Sequence, residues 1–169
     1  MDSDSIPQSF TIELTCHNDD WPLPEKDMLE QIAANVLSAV KWERKCVISI
    51  LFTDDSYIKD LNKTYRGKDK PTNVLSFSGY CKDFLQILPH TEDIPLGDII
   101  FALETIRAEA TQQNKPFENH LNHLFVHGLL HLLGFDHETE TEAAIMEQLE
   151  IEILSTLLIP NPYEVIESL

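Results

Sequence analysis

Phe10, Ile12, Leu14 and Cys16 alternate with Thr11, Glu13 and Thr15, the period-two pattern of a strand with one buried face. After Pro24 the period changes, and Leu29, Ile32, Ala33, Val36, Leu37 and Val40 follow the spacing of a single helix face. The run CVISILF (46–52) is then continuously apolar and rich in β-branched residues, as suits a central strand covered on both sides. A helix joining two strands predicts a crossover.

Asp54 or Asp55 can cap a following helix that aligns Ile58, Leu61 and Tyr65, and Gly67 stands where a left-handed residue would stop it. Pro71 forces Lys70 to be extended, so residues 66–73 read as a loop feeding a short strand, VLSF (74–77). Residues 79–95 show no clear period and read as a surface excursion, after which Gly97-Asp98 leads into the strand IIFA. Three helical patterns follow: about Leu103 to Gln113, Asn114-Lys115-Pro116 to Leu133, and about Thr139 to Leu158 with Met146, Leu149, Ile153 and Leu157 aligned. The reading is an α+β fold, a small mixed four-stranded sheet packed with about five helices. At 169 residues it forms one compact domain spanning 1–169.

Composition narrows the class. The chain is 43% hydrophobic and 24% charged, as globular proteins are. The acidic start MDSDSIPQSF has no basic region followed by an apolar stretch, and no run approaches the ~18 apolar residues of a membrane span. Cys16, Cys46 and Cys81 are odd in number and form no CxxC pair, which argues against a disulfide framework or cysteine zinc site and for a reducing cytoplasm. A cytoplasmic protein without membrane contact is expected. The net charge of −17 would repel nucleic acid on average. However, eight of the twelve basic residues fall within positions 41–70 against five acids, whereas Glu138 to Leu169 holds eight acids and no Lys or Arg.

The segment HGLLHLLGFDH (127–137) places three of seven histidines in eleven positions of an otherwise apolar helix. His127 and His131, one turn apart, project from one face and can converge on one ion. Gly134 falls where the helix must end, and a left-handed residue there can bring His137 back over the same face. Three imidazoles around one Zn²⁺ leave a fourth position for water, whose pKa then falls to roughly 7, an open catalytic arrangement. His120 and His123 share the helix face; His120 reads as exposed, and His123 as a packing residue or a substrate contact. The spacing also matches the metzincin zinc proteases, HExxHxxGxxH, but the general-base Glu of that motif is here Gly128, which cannot take a proton.

Two segments, LNKTYRGKDKPTNVLSF (61–77) and HGLLHLLGFDH, together resemble the signatures of the YbeY family of metal-dependent endoribonucleases. LGDII (96–100) and EAAIMEQLEIEIL (142–154) resemble its flanking elements. The resemblance covers most of the chain from Asp55 to Leu154. It implies a compact α+β fold, one zinc ion in a cleft, hydrolysis of RNA phosphodiesters, and work on ribosomal RNA and ribosomal particles in small-subunit maturation and quality control. It assigns His127, His131 and His137 as metal ligands and Arg66 as the functional arginine. Asn73 stands where many members have Asp, and Phe135 where Tyr is common; neither change removes a ligand or the arginine.

Chemistry agrees with that assignment. A phosphodiester under attack gains negative charge on its non-bridging oxygens, which a guanidinium fork stabilises bidentately. Lys59, Lys63, Lys68 and Lys70 are then candidates to line the approach for backbone phosphates, with His123 as a further substrate contact. Asp136 and Asp98 are candidates to support the site from behind or, with His123, to protonate the leaving oxygen. The competing readings are a zinc peptidase and a non-catalytic, zinc-containing ribosome assembly factor.

Overall fold

A computed structural model describes residues 10–164; the acidic start of the chain and Glu167, with the two ends of the expected 1–169 domain, lie outside the described residues. Strands β1 (Phe10–Cys16), β2 (Cys46–Thr53), β3 (Val74–Ser78) and β4 (Ile94–Ala102) form one sheet in the order β1-β2-β4-β3. The first three neighbours in this order run parallel and β3 runs antiparallel to β4, so the sheet is mixed, as expected. Helix α1 (Lys26–Ala39) is the crossover from β1 to β2, and α2 (Asp55–Arg66) follows β2. The later helices are α3 (Lys82–Leu85), α4 (Leu103–Gln112), α5 (Phe117–Leu132) and α6 (Glu140–Thr156). Among the described residues there are six helices where about five were expected, the addition being α3, a single turn inside the unpatterned 79–95 stretch that is too short to display a 3.6-residue period.

Helix α5 is the organising element. It packs on β3 and β4 and touches α1, α4 and α6, and Leu121, Leu124, Phe125, Leu129 and Leu132 join Ile48, Ile50, Phe52, Ile99 and Phe101 in the main core. Each such side chain contributes roughly 1.5–3 kcal/mol through burial. The other face of the sheet carries a smaller cluster, in which Ile58 of α2 meets Leu75, Ile100 and Ala102. The alternation in β1 buries less than it predicts: Ile12 is buried but Leu14 is 43% exposed, because this edge strand has a neighbour on one side only. Among the described residues no helix is long and apolar enough to cross a membrane.

Strand β4 begins at Ile94, earlier than Gly97-Asp98 suggested, because a bulge accommodates Pro95 and then shifts the register. Val47 pairs with Pro95 but Ile48 with Gly97, leaving Leu96 extra. Gly97 has φ +143°, and a Cβ there would lie 2.2 Å from the Phe77 carbonyl oxygen and 2.7 Å from Leu132 Cδ2. Backbone of a paired strand cannot yield, so Gly97→Ala is expected to lower stability by about 2–5 kcal/mol. Urea unfolding checks this, and a midpoint equal to wild type would mean the bulge relaxes freely.

Candidate metal centre and its cleft

The local fold of the histidine segment follows from one glycine. At the end of α5, Gly134 adopts φ +98°, its N–H donates to the His131 carbonyl and that of Phe135 to the Leu130 carbonyl, both at 3.0 Å. This double bond pattern closes a helix C-terminus through a left-handed residue. The reversed chain returns the Phe135 carbonyl to within 3.0 Å of His131 Nδ1 and sets the His137 ring 5.0 Å from that of His131 and 5.6 Å from that of His127. One ligand atom from each of His127, His131 and His137 lies within 4.8 Å of the others.

Their outer nitrogens have partners that decide the protonation. His127 Nδ1 lies 2.6 Å from Glu150 Oε1, so it carries the proton that the carboxylate accepts; His131 Nδ1 likewise donates to Phe135 O. Both Nε2 atoms are therefore bare acceptors, and they face each other at 3.0 Å. Two lone pairs at that separation repel unless a cation lies between them, so the donor set fits a metal ion. Burial, with His127 and His137 alongside, pushes the His131 pKa down, favouring the neutral form that ligates.

Glu150 was missed by sequence reasoning. It is fully buried, on the face of α6 that also buries Met146, Ile153 and Leu154, and an acid at core spacing is the signal that a partner awaits it. Burial would raise its pKa, but hydrogen bonds from His123, His127 and Tyr163 outweigh that and hold it at about 2. Tyr163 donates to Glu150 Oε2, and Lys115 Nζ, bonded to the Pro162 carbonyl, ties down the segment that delivers it. Glu150→Gln is expected to weaken metal binding about 10- to 100-fold, as outer partners of ligating histidines usually do. Competition with a chromogenic chelator measures this; wild-type affinity would show that Glu150 does not tune His127.

A cleft of about 900 Å³ brings the three histidines together with Arg66, Lys68, Lys70 and Asp136. Buried Asn62 fixes the basic loop, donating from Nδ2 to the Lys70 carbonyl and accepting Lys68 N–H on its own carbonyl. Arg66, on the last turn of α2, donates through Nη2 to the Ser76 carbonyl, leaving its other N–H groups to the cleft. Asp136 Oδ1 accepts the His137 N–H and so shapes the turn that carries His137. Asn73 spends its side chain on Val74 N–H and Glu109.

Other candidates lie elsewhere. Lys59 and Lys63 do not line the cleft; both face Asp69, at 4.0 and 3.8 Å. His123 turns back toward Glu150 and Tyr163. Asp98 lies on the opposite face of the sheet, in a second cavity, because Ile99 takes the α5 side and neighbouring strand residues alternate. His120, read as exposed, is only 4% exposed and sits 3.6 Å from Glu109. Gly128 lies against the sheet, where a Cβ would meet Ile99 Cγ2 and Ser76 Oγ at 3.1 Å. A glutamate there would be driven into that contact, so close helix packing is the physical reason for the glycine.

A family model described as Endoribonuclease YbeY matches residues 14–158. The Endoribonuclease YbeY of a Chelativorans species is 41% identical over 165 residues, covering 96% of this chain and 99% of that protein. That of Nitrobacter hamburgensis is 52% identical over 118 residues, covering 69% of this chain and 60% of its own. A solution structure of a Thermotoga maritima protein shares the fold with TM-score 0.54 at 24% identity, over 87% of this chain and 91% of that one. Sequence match and fold thus agree across the segments that build the cleft, and the chain belongs to the endoribonuclease YbeY family.

Proposed function

We propose that this chain, as one domain spanning 1–169, is a zinc-dependent endoribonuclease that cleaves single-stranded RNA by attack of water on a phosphodiester, and that it acts in the cytoplasm on ribosomal RNA and ribosomal particles during small-subunit maturation and quality control. The observation that carries the proposal is the convergence of three imidazoles and an arginine on one cleft. Relatives named Endoribonuclease YbeY support the reaction class.

His127, His131 and His137 would hold the ion, and zinc suits three neutral imidazoles. When bound, zinc supplies Lewis acidity and lowers the pKa of water to roughly 7. The chain's own residues do the rest. Glu150 and the Phe135 carbonyl keep the two helical imidazoles turned inward. Lys68 and Lys70 draw the phosphate backbone into the cleft, and Arg66 stabilises charge building on the non-bridging oxygens. A peptidase reading lacks its base, since the motif position is Gly128 and the Asp136 carboxylate holds the His137 N–H.

Purified protein should cut a labelled single-stranded RNA, lose that activity to a chelator and regain it with zinc. RNA left intact by zinc-loaded protein that still co-sediments with ribosomal particles would favour the assembly-factor reading instead.

A further inference from the structure

The second cavity, about 520 Å³ on the α2 face of the sheet, is walled by Tyr57, Leu61 and Tyr65 of α2 and floored by Ser49, Phe77, Asp98 and Ile100. Resting on the endoribonuclease reading above, we propose that it is a base-binding subsite, taking a guanine of the RNA strand whose neighbouring phosphate lies in the metal cleft.

One side chain stands between the two cavities. Strand β3 is one edge of the sheet, and Arg66 closes over it, lining the metal cleft while its guanidinium carbon lies 5.6 Å from the Phe77 ring on the other side. A strand crossing β3 at Arg66 has its phosphate on the cleft side and an adjoining base within reach of Phe77. Phe77 and Tyr65 form an edge-to-face pair with centroids 5.3 Å apart, and Tyr65 is 65% exposed. Such a ring, held by its neighbour yet open to solvent, is what single-stranded RNA stacks on.

Charge separates base from backbone. The cavity floor offers the Asp98 carboxylate, which repels phosphate, while Arg66 at the rim attracts it. Asp98 is the register partner of Phe77, so their Cβ atoms lie roughly 5 Å apart on one face. A base stacked on the aromatic pair therefore turns an edge toward Asp98. Guanine presents two parallel donors there, N1–H and N2–H, matched to the two oxygens of a carboxylate.

The test uses zinc-loaded full-length protein and oligoribonucleotides differing at single positions around the cut. Wild type is expected to prefer guanine at one fixed position. Tyr65→Ala should raise KM roughly 5- to 100-fold, the range for loss of one stacked base, with kcat, zinc content and melting temperature near wild type. Asp98→Asn should flatten the guanine preference, and RNA carrying a photoreactive iodinated base should cross-link to Tyr65 or Tyr57. Wild-type KM in Tyr65→Ala, an unchanged base profile in Asp98→Asn, or cross-links confined to the histidine cleft would each overturn the subsite and leave this face to a protein partner. If wild type cuts no RNA and forms no cross-link, the endoribonuclease reading fails with it; cleavage with these variants silent removes the subsite alone.

Discussion

His131→Ala is expected to abolish metal binding and RNA cleavage together. His131 is the middle of the three converging imidazoles: its Nε2 lies 3.0 Å from that of His127, and its ring is 5.0 Å from that of His137. Without it, two imidazoles remain, one of them on an exposed turn. Affinity should fall by more than the roughly 100-fold that losing an outer partner costs, so protein recovered from a desalting column should hold little zinc. The fold should survive, since His131 is only half-buried at the cleft wall and its neighbours Leu129, Leu130 and Leu132 anchor α5. His123→Ala is the matched control. His123 sits on the same helix, two turns earlier, but faces Glu150 rather than the ion site, so it should keep stoichiometric zinc. Full zinc in His131→Ala, measured by atomic absorption, would sink the three-histidine centre.

How far the site was legible depended on whether a residue's direction follows from its own element. His127 and His131 are one turn apart on a helix with an unmistakable apolar pattern, and Gly134 announces the turn that returns His137, so all three could be read from spacing. The lysines could not be sorted by charge alone. Round α2, Lys59 lies only about 20° from Arg66 and Lys63 about 60° from it, so helix spacing gives both lysines nearly the arginine's face, and only the structure shows that Asn62 and Arg66 border the cleft while the lysines meet Asp69. Asp98 illustrates the same limit in a strand. Its alternation with Ile99 was plain, but which face receives α5 is set by the packing of the whole sheet. Glu150 was overlooked for a different reason: in a helix with many acids, the one at core spacing draws no notice until its partners on α5 are known. The bulge at Leu96 and Gly97 was hidden because a proline two residues before the glycine argues against a strand, and the register shift that admits it depends on β2.

Arg66→Glu is expected to cut RNA cleavage by at least about 10³-fold while leaving zinc content intact. Removing a single donor from a site of developing negative charge costs about 10²–10³ in rate, and reversing the charge adds repulsion of the substrate phosphate in the same cleft. The effect should be catalytic rather than structural. Among the described residues Arg66 has no ion pair, and the hydrogen bond it makes goes to the exposed Ser76 carbonyl, so the unfolding midpoint should shift by no more than about 0.5 kcal/mol. Arg66→Lys separates charge from geometry: a lysine keeps the positive charge but not the planar fork, and should recover only part of the rate. Lys63→Glu provides the opposite control, because its side chain faces Asp69 outside the cleft and it changes total charge as much as Arg66→Glu does. If both reversals slow cleavage equally, the contribution is long-range attraction of RNA, and raising salt should erase the difference from wild type. If Arg66→Glu alone collapses kcat, and salt does not restore it, the guanidinium acts at the phosphate itself.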